Sequence, residues 1–305
     1  MNPYSYQKTD FPVNIIPDVK NRLWTRYAVD FPTAHPSIYS AYNTVRGLYY
    51  QPARKNPVPL VIMIHGMGDY SVVPWKALAP SLAKKGIAAF VLYHPYHSTR
   101  IPTPIKQRIP NLTAPEWFEG IQISVIDIFQ VLDWAAARPE LDIARNAVMG
   151  VSYGGVVSAI AMGIDARIKV GIFVVTGGNA GKINLRSKSK AYSKVFQLKE
   201  AEFSTQQTTY FEYLENVKLY GFENVESADF TFQIDPMTFA DRLKNRPLLM
   251  LNAARDKYVP REAVLDFWQA CGKPPLKWFP GGHLGIWAFY PLIAHLSINF
   301  LEANI

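Results

Sequence analysis

An α/β architecture, a mostly parallel sheet with helices on both faces, is the fold class that the 305-residue sequence predicts. Three observations predict it. From about residue 43, short apolar runs alternate with helical stretches, the rhythm of parallel strands joined by right-handed crossovers. The runs are almost continuously apolar, without the polar alternation of a strand that has one wet face, so they belong to a sheet covered on both sides. Apolar residues make up 49% of the chain and charged ones 18%, a composition that can fill a large core and does not fit a disordered chain.

The strand-like runs are Val45–Gln51, Pro59–His65, Ile87–Tyr93, Ala147–Val151, Ile168–Val175, Pro247–Asn252 and Leu276–Phe279, with Pro52–Pro57 as a turn. Helical patterns cover Pro74–Lys85, Pro115–Ala137, Tyr153–Met162, Arg261–Ala270 and Ile286–Leu301. In the second of these, Phe118, Ile121, Val125, Ile128, Phe129 and Leu132 recur at three- and four-residue spacing, and Pro115 suits a first helical turn. Two segments break the rhythm. Residues 1–42 read as an irregular N-terminal extension, rich in Pro and aromatics, packed over the core. Residues 177–232 are too long for an ordinary connection. They are polar and aromatic, with a weak helical pattern from Ser193 to Phe222, and read as an inserted lid. The core is then 43–176 and 233–305.

The net charge is +8. Lys182, Arg186, Lys188, Lys190, Lys194 and Lys199 form a run without an acidic residue, inside the expected lid, and the rest of the chain nets only +2. It reads either as a solvated lid surface or as an attractor of an anionic substrate or membrane surface. No nucleic-acid module accompanies the charge, and no nucleic-acid partner is expected. The single cysteine, Cys271, excludes an intramolecular disulfide and reads as a small buried hydrophobe. Residues 1–14 carry no apolar signal core, and the apolar stretch 284–301 is broken by Pro291, His295 and Asn299. A cytoplasmic protein without a transmembrane segment is therefore the expectation, with room for a homo-oligomer.

The chemistry concentrates at Gly150-Val-Ser152-Tyr-Gly154, at the join of an expected strand and an expected helix. A turn that tight holds a serine hydroxyl out at the sheet's C-terminal edge and leaves no room for side chains two residues to either side. Gly155 lets the following helix approach the sheet. A serine near neutral pH needs a base, and the base an orienting acid. Asp256 follows the strand Pro247–Asn252, and His283 follows the strand Leu276–Phe279 on a Gly-rich turn. Both positions lie past strand C-termini, where open α/β sheets bind ligands. Asp256 taken alone reads more readily as a helix cap. Asp235 precedes its strand and reads as a turn former, and His295 lies inside the last helix. The run His65-Gly66-Met67-Gly68 closes a strand with glycines, so backbone N–H groups can approach a bound carbonyl oxygen. The expected oxyanion donors are the N–H groups of Met67 and Tyr153, with His65 bracing the loop. Gly66, Gly68, Tyr70 and Trp287 are expected at the substrate pocket.

These pieces, with Asp256-Lys-Tyr-Val-Pro260 and Gly281-Gly282-His283, resemble the α/β-hydrolase superfamily over residues 43–303. The C-terminal third, from Asp235-Pro-Met-Thr-Phe-Ala to His283, is similar to its acyl-esterase, dienelactone-hydrolase and prolyl-oligopeptidase-like branch. The resemblance implies an eight-stranded sheet whose first strands are antiparallel, a catalytic triad of Ser152, Asp256 and His283, and a serine esterase with no cofactor. The chain departs from the pattern in two places. Met67 stands where many relatives have glycine or a bulky apolar residue. The loop after Tyr93 reads His94-Pro-Tyr-His97-Ser-Thr-Arg100 instead of an Asp/Arg/Gly-rich stretch. His94 and His97 lack an evident third ligand, so they read as packing near the pocket and no metal is expected.

The leading expectation is a carboxylic-ester hydrolase acting on a small-molecule ester through an acyl-enzyme. The enzyme alternative is a compact serine aminopeptidase or amidase, and the non-enzyme alternative is a hydrolase-fold binding protein. The 40 or so residues before the first expected strand leave no room for the propeller domain of the prolyl-oligopeptidase-like peptidases.

Overall fold

The computed structural model describes residues 2–106, 111–188 and 198–305. A nine-stranded sheet runs through it in the order β1-β2-β3-β5-β4-β6-β7-β8-β9. The strands are β1 (Asn14–Lys20), β2 (Trp24–Pro32), β3 (Thr44–Pro52), β4 (Val58–Ile64), β5 (Ala88–Tyr93), β6 (Leu141–Val151), β7 (Val170–Val174), β8 (Leu248–Ala253) and β9 (Leu276–Phe279). Pairing is antiparallel from β1 through β3 to β5 and parallel across the rest.

The strand count differs from the eight implied by resemblance, and residues 1–42 differ from an irregular cover over the core. That segment supplies β1 and β2. The sequence hides them because β1 is an edge strand whose residues are almost all solvent-exposed, so no apolar pattern marks it. It also contains Pro17, next to a register shift between Pro17 and Val19. Proline lacks the ladder donor and bulges interrupt pairing, and both are tolerated at an edge.

The helices are α1 (Val73–Lys84), α2 (Thr103–Lys106), α3 (Ala114–Ala136), α4 (Tyr153–Ile164), α5 (Ala180–Arg186), α6 (Glu200–Tyr220), α7 (Phe230–Gln233), α8 (Arg261–Ala270) and α9 (Tyr290–Asn304). Alternate strand residues feed two cores. Leu60, Ile62 and Ile64 of β4 join the side covered by α3, α4 and α8. Val61 and Met63 join the side covered by α1 and α9, through Trp75, Leu82, Ile293 and Leu301. All five β4 residues are fully buried. With both faces dry, side-chain alternation carries no polar partner, which explains the unbroken apolar runs. α3 starts where Thr113 N–H donates to Glu116 Oε2 at 2.8 Å, a capping-box contact that satisfies one orphan donor.

Residues 177–232 contain α5, α6, a 3₁₀ turn at Phe222–Asn224 and the start of α7. Asp235 joins this segment to the core. Its carboxylate accepts from Met237 N at 2.9 Å, from Asn179 N at 3.1 Å and from Ala180 N, so it caps the 3₁₀ helix Pro236–Leu243 and also holds the start of α5. Burial pushes its pKa up to about 6. Cys271 is buried at the end of α8, and burial pushes its thiol pKa up. Among the described residues no helix is long and apolar enough to cross a membrane.

Candidate active site

β4 and β6 are neighbours, while the chain leaves β4 for β5 on one side and arrives at β6 on the other. A crevice opens at such a reversal, outside the strands' C-terminal ends. The register pairs Ile64 with Gly150, which brings the loop after β4 against the turn after β6.

Ser152 occupies that turn with φ 52° and ψ −119°, a strained conformation for a residue with a side chain. Packing enforces it. A Cβ on Gly150 would stand 2.1 Å from the Gly154 carbonyl oxygen, and one on Gly154 would stand 2.3 Å from that of Ile64. Both obstacles are backbone, so neither can yield. The Ser152 N–H donates to Val174 O at 2.8 Å, tying the turn to β7.

Two further loops converge on Ser152. Ala254 N–H donates to Phe279 O at 2.8 Å and Arg255 N–H to Gly281 O at 2.9 Å, lacing the loop after β8 to the loop after β9. Gly281 has φ +108°, a conformation that favours glycine, and it turns the chain so that His283 faces Ser152. His283 Nε2 lies 2.9 Å from Ser152 Oγ, and His283 Nδ1 lies 2.7 Å from Asp256 Oδ2. Asp256 Oδ1 accepts from Tyr258 N at 2.8 Å and Val259 N at 3.0 Å, which fixes the carboxylate. The sequence left Asp256 between cap and acid. Here it organises its own turn and faces His283, while Pro260 takes the N-cap position of α8. A carboxylate only accepts, so Nδ1 carries the proton and Nε2 is free to accept from the Ser152 hydroxyl.

The site opens onto a cavity of about 380 Å³. Gly66, Met67, Ser152, Tyr153, His283 and Trp287 line it, as the sequence anticipates. Trp117, Ile121, Val156 and Ile183 also line it. Trp117, Ile121 and Val156 sit within ordinary apolar helical patterns and Ile183 in the expected lid, and only tertiary packing aims them inward. Gly68 and Tyr70 do not line the cavity. The 3₁₀ turn Asp69–Val72 carries Tyr70 outward, where it is 90% exposed.

Beneath the loop after β4 lies a buried cluster of imidazoles. The His65 and His94 rings are 4.0 Å apart, and His97 packs 4.5 Å from His65. His65 braces its loop by donating from Nδ1 to Gly66 O at 2.8 Å. Burial is the main cause lowering the pKa of His65, and it brings that of His94 down to about 3. Among the described residues no group of three His, Cys, Asp or Glu side chains is arranged to hold a metal ion. Of the basic run, Lys182 pairs with Asp266 at 2.6 Å, and Arg186, Lys188 and Lys199 are exposed. Lys190 and Lys194 lie outside the described residues.

Solved structures with a similar fold include an acetyl xylan esterase from Paenibacillus sp. R4, at 20% identity and TM-score 0.67, covering 98% of this chain and 90% of that one. Acetyl xylan esterase 1 from Thermoanaerobacterium sp. JW/SL YS485 matches at 16% identity and TM-score 0.67, covering 98% and 91%. An acylaminoacyl peptidase from Pyrococcus horikoshii matches at 16% identity and TM-score 0.62, covering 93% of this chain and 42% of that one. At these identities the likeness is one of fold. No curated protein matches the chain in sequence. The prolyl oligopeptidase family model matches residues 121–275, just over half of the chain and including Ser152 and Asp256; the chain is an α/β-hydrolase that belongs to the prolyl oligopeptidase family.

Proposed function

We propose that this serine hydrolase cleaves carboxylic esters with a compact apolar acyl or alcohol group, through an acyl-enzyme on Ser152. One observation carries the reading: the hydrogen-bonded chain Ser152–His283–Asp256, with 2.9 and 2.7 Å links, opens onto an apolar cavity.

The steps follow from the geometry. His283 Nε2 takes the Ser152 proton as Oγ attacks the ester carbonyl carbon, and Asp256 stabilises the imidazolium. The carbonyl oxygen gains negative charge and is met by the N–H groups of Met67 and Tyr153. Such donors gain strength in a site from which water is excluded. The tetrahedral species collapses, the alcohol leaves with the proton from His283, and Ser152 stays acylated. A water molecule then attacks the acyl-enzyme with His283 as base, releasing the acid and restoring the serine.

Family membership favours one rival, a peptide- or amide-bond hydrolase. An aminopeptidase must pair the substrate's free ammonium, and charges removed from water need a partner. Among the described residues lining the cavity there is no Asp or Glu, which supports the ester reading over a free-amine substrate. The discriminating experiment compares p-nitrophenyl esters of increasing acyl length with aminoacyl anilides. A higher kcat/KM for the anilides overturns the ester reading.

We also propose that residues 177–232 act as a lid over this core of 43–176 and 233–305. Support comes from Ile183 of α5, which lines the cavity, and from Lys188 N–H, which donates to Lys257 O at 2.7 Å, one residue beyond Asp256.

A further inference from the structure

We propose that His94 is a positioning residue for the oxyanion hole: it grips the Gly66 carbonyl and so orients the one peptide whose N–H belongs to Met67. The proposal deepens the serine-hydrolase reading and rests on it.

The carbonyl of Gly66 and the N–H of Met67 are two ends of a single planar peptide unit. In a trans peptide they point in opposite directions, and no peptide bond among the described residues is cis. Whatever fixes the Gly66 oxygen therefore aims the Met67 N–H. His94 Nε2 lies 2.9 Å from Gly66 O. The proton is on that nitrogen, because His94 Nδ1 already accepts from Tyr96 N–H at 3.1 Å. A neutral imidazole has one donor and one acceptor, so the Tyr96 contact selects the tautomer that can donate to Gly66. Burial keeps the ring neutral, with a pKa down at about 3, so this donor does not change across ordinary pH.

His65 Nδ1 takes the second place on the same oxygen, at 2.8 Å. A carbonyl oxygen has two lone pairs. Ser71 Oγ lies 2.5 Å from both Gly66 O and Gly68 O and 2.9 Å from His65 Nδ1, so its hydroxyl belongs to the same cluster around the Gly66 oxygen. The Gly66–Met67 peptide is thus held from its carbonyl side by two buried imidazoles together with the Ser71 hydroxyl. On the other side, a Cβ at Gly66 would stand 3.5 Å from the Ser152 Cβ, which shows how close this backbone comes to the nucleophile. His94 also meets the second donor residue, since its ring centroid is 4.7 Å from that of Tyr153. Tyr153 is pinned at its far end by Ser124 Oγ, 3.1 Å from its hydroxyl. One buried ring therefore supports both residues whose N–H groups face the developing oxyanion.

The test compares His94→Gln, whose amide nitrogen can reach the Nε2 position, with His94→Asn and His94→Phe, which cannot donate there. The assay is p-nitrophenyl butyrate hydrolysis, with Ser152→Ala alongside. Loss of a whole oxyanion donor costs about 10²–10³ in rate, and loss of its support is expected to cost about tenfold to a hundredfold. The loss should fall on kcat with KM nearly unchanged in the Asn and Phe variants, and His94→Gln should recover most of it. Equal kcat in the Gln and Asn variants, or wild-type kcat in His94→Phe, overturns the proposal. If the variants do not fold, imidazole ¹⁵N NMR of the wild-type protein decides: the Nε2–H tautomer supports the proposal and the Nδ1–H tautomer overturns it. Turnover retained by Ser152→Ala would instead overturn the serine reading itself.

Discussion

The two sides of Ser152 are built in opposite ways. On one side, His283 and Asp256 come from the loops after β9 and β8 and meet Ser152 through their side chains, at 11% and 4% exposure. On the other, the loop after β4 carries the Met67 N–H proposed as an oxyanion donor, and the buried side chains beneath it include His65 and, from the loop after β5, His94, both fully buried. Below them Arg100, also fully buried, ties the second loop down. It donates to Tyr93 O at 2.7 Å, to Tyr42 O at 2.9 Å and to Asp127 Oδ2 at 2.7 Å. The difference teaches where each kind of damage should appear. Side-chain chemistry at the rim can be deleted without unfolding the protein. Backbone chemistry depends on a polar core whose loss costs stability.

The largest expected effect sharpens the first half of that contrast. Ser152→Ala should lower p-nitrophenyl acetate turnover by about 10⁴-fold or more while the thermal unfolding midpoint stays nearly constant. Asp256→Asn should follow at about 10³–10⁴-fold, because the His283 ring loses the partner that sets its tautomer. A large fall in the unfolding midpoint in either variant would break the comparison.

Arg100→Leu tests the other half. It leaves Asp127 buried without its cation and should cost about 3–5 kcal/mol of stability in urea unfolding. Unchanged stability would show that this side is not built on its buried network.

The pH dependence of stability gives the next effect. Burial, followed by the nearby His97 and the Arg100 cation, lowers the His94 pKa from 6.5 to about 3, against the opposing bond to Gly66 O. The folded state therefore binds its proton less readily than the unfolded state. This contribution is complete above pH 6.5 and is lost as pH falls from there towards 3. Between pH 6.5 and pH 5 it amounts to about 2 kcal/mol. Urea unfolding at the two pH values should show a smaller acid-side loss in His94→Gln than in the wild type. An equal loss in both would mean that His94 does not pay out its burial as acid lability.

The smallest effect returns to the turn itself. Ser152→Gly should be inactive yet more stable by about 1 kcal/mol, since relief of about 1–3 kcal/mol of strain exceeds the added chain entropy of glycine. A lower unfolding midpoint in this variant would show that the turn is not strained.

The legibility of the site follows the same division. Ser152, Asp256 and His283 could be read because each pairs a reactive side chain with a local signature, a strand followed by a tight turn. The parallel strands could be read because a sheet buried on both faces leaves unbroken apolar runs. β9, Leu276–Phe279, matches residue for residue. β1 was missed because an exposed edge imposes no apolar pattern, and β2 because only Val29 and Phe31 of its nine residues are buried. His94 was read as mere packing because its partner is a carbonyl 28 residues away, and every residue has one. Tyr70 was misplaced because proximity to the Gly66 loop says nothing about which way a 3₁₀ turn points its side chain.

The sequence by itself determined the fold class, the serine turn and the order of the groups that meet there, since these depend on local sterics and on periodic burial. Only the tertiary structure decided that residues 1–42 extend the sheet, which wall residues face the cavity, and that three histidines cluster beneath the loop after β4. Those outcomes depend on pairings and hydrogen bonds between distant segments, whose energies appear only once the chain has closed upon itself.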